Sequence, residues 1–176
     1  MATANKTCSL ERRIYRFAAS VSSLAALLII LWGCAGTDFN AQAIAWKTYS
    51  NSRYGFEFPY PSNWTSLAAP ENNDGITFIS PQNNSVKIRG WASQQLPNSI
   101  LKDREPGKKI QPNFQTAQGI SGVLVVEADQ QVASITLTLT QNQVKYYWQG
   151  QSNSQEFPDY YPLFYYIAQQ YRIPKS

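Results

Sequence analysis

Few side chains in this sequence are suited to chemistry. The 176 residues contain no histidine, and the cysteines are Cys8 and Cys34. Histidine is the side chain that most often serves as an acid–base catalyst near neutral pH or as a zinc ligand. Histidine-dependent catalysis and the usual zinc sites are therefore excluded. Carboxylates remain, and two of them in one cleft would provide an acid–base site. Most of the ten acids after Cys34 are expected in turns or on outward strand positions, where a solvated charge is ordinary.

The segment from Glu71 to Asp74 combines carboxylates with the amides of Asn72 and Asn73, and calcium prefers such oxygen ligands. Two acids are too few for a dedicated calcium site, so no metal and no cofactor is predicted. The chain also lacks a nucleophile elbow and a phosphate-binding loop. The sequence therefore predicts no catalytic residue and a protein that is not an enzyme, with a carboxylate-based enzyme as an alternative.

Aromatic side chains are abundant: the chain has 5 tryptophans, 11 tyrosines and 8 phenylalanines. Each ring buries a large area, which suits a small core without disulfides or metals. Five rings are expected on faces opposite the inward-facing rows: Trp91, Tyr147, Tyr161, Tyr165 and Tyr166. If exposed, they would bind partner proteins, sugars or lipid surfaces. The alternative is that a second layer of helix covers them.

The positive charge of the chain is concentrated at its N-terminus. Four of the 15 basic residues precede the first apolar stretch: Lys6, Arg12, Arg13 and Arg16. From Cys34 onward, 11 basic and ten acidic residues leave a formal charge of about +1. A nucleic-acid-binding domain needs a concentrated basic face, so nucleic acid is not an expected partner.

Residues 1–33 are predicted to be an export signal, because a basic segment precedes the uncharged apolar stretch Phe17 to Trp32. The sequence Leu31-Trp32-Gly33-Cys34 at its end resembles a bacterial lipobox, in which the cysteine is lipidated and becomes the first residue of the mature protein. The resemblance implies that Cys34 carries a lipid and attaches the protein to a membrane.

Two other outcomes remain open. Cleavage after Ala43 is indicated by the A-x-A sequence Ala41-Gln42-Ala43 and would release a soluble secreted protein. The 19 residues from Phe17 to Ala35 are also roughly long enough to remain as a membrane anchor. All three outcomes place the body outside the cytoplasm. The expected division is an export signal at 1–33, a tether at 34–45 and a single domain at 46–176.

Alternation of apolar and polar residues predicts a series of short strands. Pro59 and Pro61 are expected to end the second of them, because proline cannot donate to a sheet ladder. A weaker helical pattern covers Leu96 to Arg104. The charged segment 102–109 is expected to be a solvated loop, and the polar stretch from there to Phe114 is not predicted to form a strand. The strands are expected at 46–49, 54–58, 76–80, 86–91, 118–127, 135–140 and 144–148.

The C-terminal segment has the pattern of an amphipathic helix that begins near Pro158-Asp159. Proline is tolerated in the first turn of a helix, and an acid there complements the helix dipole. The apolar stripe expected to lie on the sheet consists of Tyr160, Leu163, Phe164, Ile167 and Tyr171.

Three motifs together resemble the PsbP-like family, which comprises the extrinsic photosystem II proteins and many bacterial relatives. They are Tyr54-Gly55-Phe56-x-Phe58-x-Tyr60-Pro61-x-x-Trp64, Asp74-Gly75-Ile76-Thr77-Phe78 followed by Val86-Lys87-Ile88, and Tyr161-Pro162-x-Phe164-x-x-Ile167-Ala168. The resemblance implies the α+β fold class, with an antiparallel sheet of about six strands sandwiched by helices. Photosynthetic members carry metal-binding histidines, and this chain has none.

The expected function is that of a non-catalytic, extracytoplasmic accessory or assembly factor of a membrane protein complex, lipid-anchored on the periplasmic or thylakoid-lumen side. This expectation combines the export signal, the PsbP-like resemblance and the scarcity of reactive groups. The alternative is a module that binds small ligands or glycans through exposed aromatic rings.

Overall fold

The described part of the chain combines an antiparallel β-sheet, an α-helix laid across it, and a separate two-stranded ribbon. The computed structural model describes residues 39–94 and 108–175. The predicted export signal, Cys34 and the predicted helix Leu96 to Arg104 lie outside these residues. The elements are a 3-10 helix Ala41–Ala43, β1 Trp46–Ser50, β2 Glu57–Pro61, β3 Thr65–Ser66, β4 Gly75–Ile79, β5 Lys87–Gln94, β6 Lys108–Gln115, β7 Ser121–Ala128, β8 Val132–Gln141, β9 Val144–Asn153 and α1 Phe157–Gln170.

Seven strands form the main sheet in the order β3-β4-β5-β9-β8-β7-β6, and β1 pairs with β2 alone. Every pair is antiparallel, so the predicted antiparallel α+β class is confirmed. The expected number of about six strands was too low. The expectation of helices on both sides of the sheet is not met within the described residues, where α1 is the single α-helix and packs on one face.

The core lies between the sheet and α1. Ile135 and Leu137 of β8 are fully buried on the face that α1 covers, as their alternation with threonine predicted. On β9, the ring of Trp148 lies 6.3 Å from that of Phe164 in α1. Gly150 of β9 lies under the same phenylalanine, because an added Cβ would stand 2.5 Å from its ring. Phe164 of the predicted stripe therefore faces the sheet, and a glycine permits its close approach. Tyr171, which was also placed in the stripe, lies after the helix end at Gln170.

The prolines of β2 lie within the strand, which corrects the prediction that they end it. In the ribbon, Pro61 is opposite Trp46 and Pro59 is opposite Thr48. Glu57 is at the same alternate set of positions, and its backbone N–H donates away from β1, to the carbonyl of Arg172. In an antiparallel pair, alternate residues point their backbone groups away from the partner strand. Both prolines occupy such positions, so the ribbon loses no hydrogen bond.

Strand β6 was not predicted, and its residues overlap the charged segment expected to form a loop. It pairs with β7 at the edge of the main sheet, and a register shift lies between Gln111 and Phe114. Phe114 is its only buried residue. An edge strand with a bulge and one inward-facing ring shows little alternation, which is why the sequence pattern missed it.

Both ends of the described chain pack onto the ribbon and α1. The ring of Phe39 lies 5.8 Å from that of Tyr166, within the segment predicted to be a tether. After α1, Tyr171 stacks 5.7 Å from Phe56 and 6.0 Å from Phe58. Both phenylalanines belong to the Tyr54–Trp64 motif, so this motif and the C-terminal residues form one aromatic cluster.

Candidate functional site

The predicted lipidation residue Cys34 lies outside the described residues. Within residues 39–94 and 108–175, no group of three or more histidine, cysteine or acidic side chains is close enough to hold a metal ion. Asp74 accepts a hydrogen bond of 2.7 Å from the Asn72 side chain. The segment that was considered for calcium binding, Glu71 to Asp74, therefore uses this carboxylate in a hydrogen bond within its own turn. None of the helices in the same part of the chain is long and apolar enough to cross a membrane.

The acids with visible contacts have structural partners. Glu156 precedes α1 and accepts hydrogen bonds of 2.9 and 2.8 Å from the Asn83 amide, which ties the β4–β5 turn to the helix. Glu127 forms an ion pair of 3.0 Å with Lys108. The pKa of Asp129 is lowered by backbone hydrogen bonds from Val132 and Gln131 in its own turn. The hydrogen bonds that lower this pKa stabilise the turn. They also keep the carboxyl group ionised, so it cannot serve as a general acid.

Two of the five aromatic residues considered as exposed binding groups form a pair on the sheet. Trp91 and Tyr147 are opposite each other on β5 and β9. Their rings stack with centroids 5.0 Å apart and planes 11° apart. The guanidinium of Arg89 lies over the Trp91 ring, 4.7 Å from its centroid. Much of the ring surface that could stack on a sugar is therefore used within the protein.

The other three rings lie on α1, and each contacts another ring. Tyr165 meets Phe114 of β6 edge-on at 5.6 Å. Tyr161 lies 5.9 Å from Phe157. Tyr166 lies 5.1 Å from Trp46 in the ribbon. All three are half-buried, so the abundance of aromatic residues mainly reflects packing.

The face of the main sheet opposite α1, here called the outer face, carries ordered rows of polar and aromatic residues. Thr138, Tyr147 and Trp91 form one row across β8, β9 and β5. Thr136, Gln149 and Arg89 form the next row, in which the Gln149 amide donates to the Thr136 hydroxyl at 3.2 Å. No described helix packs on this face. The connection 95–107 from β5 to β6 lies outside the described residues.

A groove of about 270 Å³ runs along the outer face and is here called the cationic groove. Lys87 and Arg89 supply its charge, and none of its lining residues is acidic. Leu67 at its rim is 49% exposed. The lining residues are Leu67, Thr77, Ile79, Asn84, Lys87, Arg89, Gln149 and Gln151.

The cationic groove offers binding chemistry. A guanidinium, an ammonium and side-chain amides can donate hydrogen bonds to carboxylate or phosphate oxygens. Among its lining residues there is no base to accept a proton from a substrate and no activated nucleophile. Sequence alternation indicated that Lys87 and Arg89 share the side of β5 away from the core. It gave no sign that Gln149 and Gln151, some 60 residues later, lie beside them.

No protein-family model and no curated protein matches this chain. Among solved structures, the chain is similar to the solution structure of cyanobacterial PsbP (CyanoP) from Synechocystis sp. PCC 6803, with 13% identity over 81% of this chain and 99% of that chain and a TM-score of 0.49. It is also similar to a crystal structure from Bacteroides thetaiotaomicron VPI-5482, with 13% identity, a TM-score of 0.44, and coverage of 69% of this chain and 46% of that chain. The first of these proteins bears the name of the family that the sequence motifs resemble.

Proposed function

We propose that the protein is a non-catalytic accessory or assembly factor that docks on an acidic surface of a membrane protein complex through its cationic groove. The observation that carries this proposal is the grouping of Lys87 and Arg89 with amide side chains and no carboxylate, beside the Trp91–Tyr147 pair. Arginine, tryptophan and tyrosine are the residues most enriched at the centres of protein interfaces. A partner that complements this surface would present aspartate or glutamate side chains.

The proposal places the protein outside the cytoplasm, in the periplasm or a thylakoid lumen, with a lipid on Cys34 that keeps it beside its partner. This location rests on the basic and apolar segments at 1–33 and on the lipobox resemblance. Cys34→Ala should move the protein from the membrane fraction to the soluble fraction. Mass spectrometry of the mature N-terminus separates a lipidated Cys34 from Ile44, the first residue left by cleavage after Ala43.

The docking surface is tested by charge reversal. Arg89→Glu should reduce recovery of a partner complex from detergent-solubilised membranes about tenfold, the effect expected when a charge at an interface is replaced by its opposite. Lys47→Glu is the matched control, because Lys47 is an exposed cation of β1 that does not line the groove. Circular dichroism melting of both purified variants measures their folding.

Three outcomes would contradict the docking surface. Recovery of the wild-type chain only as a free monomer would contradict the existence of a partner complex. An equal loss of recovery in both variants would show that recovery depends on the overall charge of the protein and not on the cationic groove. A drop in melting temperature confined to Arg89→Glu, with partner recovery unchanged, would give the arginine a packing role within the chain.

A further inference from the structure

A second cavity lies on the other side of the protein, where the ribbon meets the end of α1. It has a volume of about 210 Å³ and is here called the ribbon pocket. One wall comes from the ribbon and the other from the last turn of α1 and the residues after it. The lining residues are Trp46, Thr48, Glu57, Phe58, Pro59, Tyr166, Gln170 and Arg172.

The ribbon pocket contains one acidic and one basic side chain, and backbone hydrogen bonds fix their separation. The N–H of Glu57 donates to the carbonyl of Arg172 at 2.9 Å, and the N–H of Arg172 donates back at 2.8 Å. The two residues are therefore a directly opposed antiparallel pair whose side chains leave the backbone on the same side. Their positions cannot drift apart while the bridge is intact.

These two charges do not neutralise each other in the described structure. Glu57 is half-buried, and its Oε1 accepts a hydrogen bond of 3.0 Å from the Ser50 hydroxyl. Arg172 is exposed, and its guanidinium makes no hydrogen bond or ion pair with the rest of the described chain. The ion pair of Lys108 with Glu127 lies elsewhere, between β6 and β7 of the main sheet. The Arg172 guanidinium and the second carboxylate oxygen of Glu57 are thus left to meet a ligand.

The aromatic wall of the pocket is held in place. The indole N–H of Trp46 donates to the carbonyl of Ala41 at 2.8 Å, and its ring lies 5.1 Å from that of Tyr166. Aromatic rings attract ammonium groups through their electron-rich faces.

We propose that the ribbon pocket binds a small zwitterion, a molecule with an ammonium group and an acidic group a few bonds apart, such as an amino acid or a betaine. The ammonium group lies between Glu57 and the rings of Trp46 and Tyr166. The acidic group lies at Arg172, with the Gln170 amide as an additional donor. This site shares no residue with the cationic groove, so ligand binding here stands apart from the proposed docking function.

The test uses glycine betaine as the probe and two molecules that each carry half of its charge: tetramethylammonium and acetate. Calorimetric titration of the full chain in low salt should give tighter binding for glycine betaine than for either half. Glu57→Gln and Arg172→Gln should each weaken betaine binding about fivefold, the range expected for one partly exposed charge contact. Lys175→Gln is the matched control, since Lys175 is an exposed cation close to Arg172 in sequence but outside the pocket.

A site-specific signal accompanies the titration. The indole N–H resonance of Trp46, assigned from its loss in Trp46→Phe, should shift as betaine is added, and half of the full shift should need about fivefold more betaine in Glu57→Gln. Equal affinity for betaine and tetramethylammonium would overturn the zwitterion assignment. Undetectable betaine binding, or binding unchanged in both pocket variants, would overturn the site itself. Neither result bears on partner recovery by the Arg89 variant, so the two proposals fail separately.

Discussion

The two faces of the main sheet are built from the same strands and differ in their burial and in the polarity of their side chains. On the inner face, Ile135, Leu137 and Trp148 are fully buried beneath α1. On the outer face, one residue along the same strands, Thr136 and Gln149 form a polar row that is half-exposed. The period of two residues in a strand produces this division without any change in backbone course.

The difference lies in how each face uses its aromatic rings. Inner-face rings fill space between layers, as Phe164 does against Gly150. Outer-face rings stack on each other and under a guanidinium, as Trp91 does with Tyr147 and Arg89. Removing a ring from the first setting leaves a cavity, whereas removing one from the second leaves a surface that water can fill. Stability should therefore be concentrated on one face and binding on the other.

The largest effect is expected from Phe164→Ala on α1. Loss of a buried phenylalanine should lower the free energy of unfolding by about 3–5 kcal/mol, because the ring over Gly150 cannot be replaced by its neighbours. Tyr147→Ala on the outer face is the comparison and should cost about 1 kcal/mol, the worth of one ring pair. Urea denaturation followed by circular dichroism measures both. Equal losses would show that the outer face is packed as tightly as the inner one.

An intermediate effect, of opposite sign, is expected from Tyr171→Phe in the aromatic cluster. The Tyr171 hydroxyl is buried and has no hydrogen-bond partner in the described structure. Removing it should raise the free energy of unfolding by about 1 kcal/mol, since an unsatisfied polar group is expensive to bury. The measurement is urea denaturation at pH 7, with Tyr147→Phe as a half-exposed control. A less stable variant would mean that the hydroxyl is hydrogen-bonded in solution.

The same tyrosine predicts how stability depends on alkaline pH. Burial raises the pKa of Tyr171 well above its usual value. An unfolded tyrosine titrates near pH 10, so the protonated form is favoured by folding. The resulting stability is complete below about pH 10 and is lost as the pH rises from there towards the higher folded pKa. In melting curves recorded from pH 8 to 11, Tyr171→Phe should therefore lose less stability than the wild-type chain does.

The smallest effect is expected from Thr136→Val on the outer face. The change removes the acceptor of the 3.2 Å hydrogen bond from Gln149 and leaves the strand pairing intact. The free energy of unfolding should change by no more than about 0.5 kcal/mol, as for most surface substitutions. A loss well above this value would indicate that the polar row supports the fold, and would weaken the separation between the two faces.

The inner face was predictable from the sequence because it follows from local periodicity. Alternation placed Ile135, Leu137 and Leu139 inward, and helical spacing placed Phe164 and Ile167 on the sheet. The predicted helix start near Pro158 is within one residue of the observed start at Phe157. These features need only the chain's own pattern and the requirement that apolar residues leave water.

The errors arose where tertiary context decides. Proline was expected to end β2, but Pro59 and Pro61 occupy positions whose backbone groups point away from β1, so the missing N–H groups cost the ribbon no hydrogen bond. Neither candidate site could be located from the sequence, because each joins residues far apart along the chain. Glu57 and Arg172 meet only because the C-terminal residues pair with β2, and no local pattern encodes that pairing.

The exposed edge strand β6 has a consequence for the behaviour of many copies at once. An open strand edge invites another chain to add itself. Here the edge carries the exposed Lys109, has Pro112 in its middle, and changes register before Phe114. Like charges repel a second copy, and the proline and the register shift interrupt the row of donors that it would need. These features disfavour the addition of a second copy along β6, which leaves recognition to side chains.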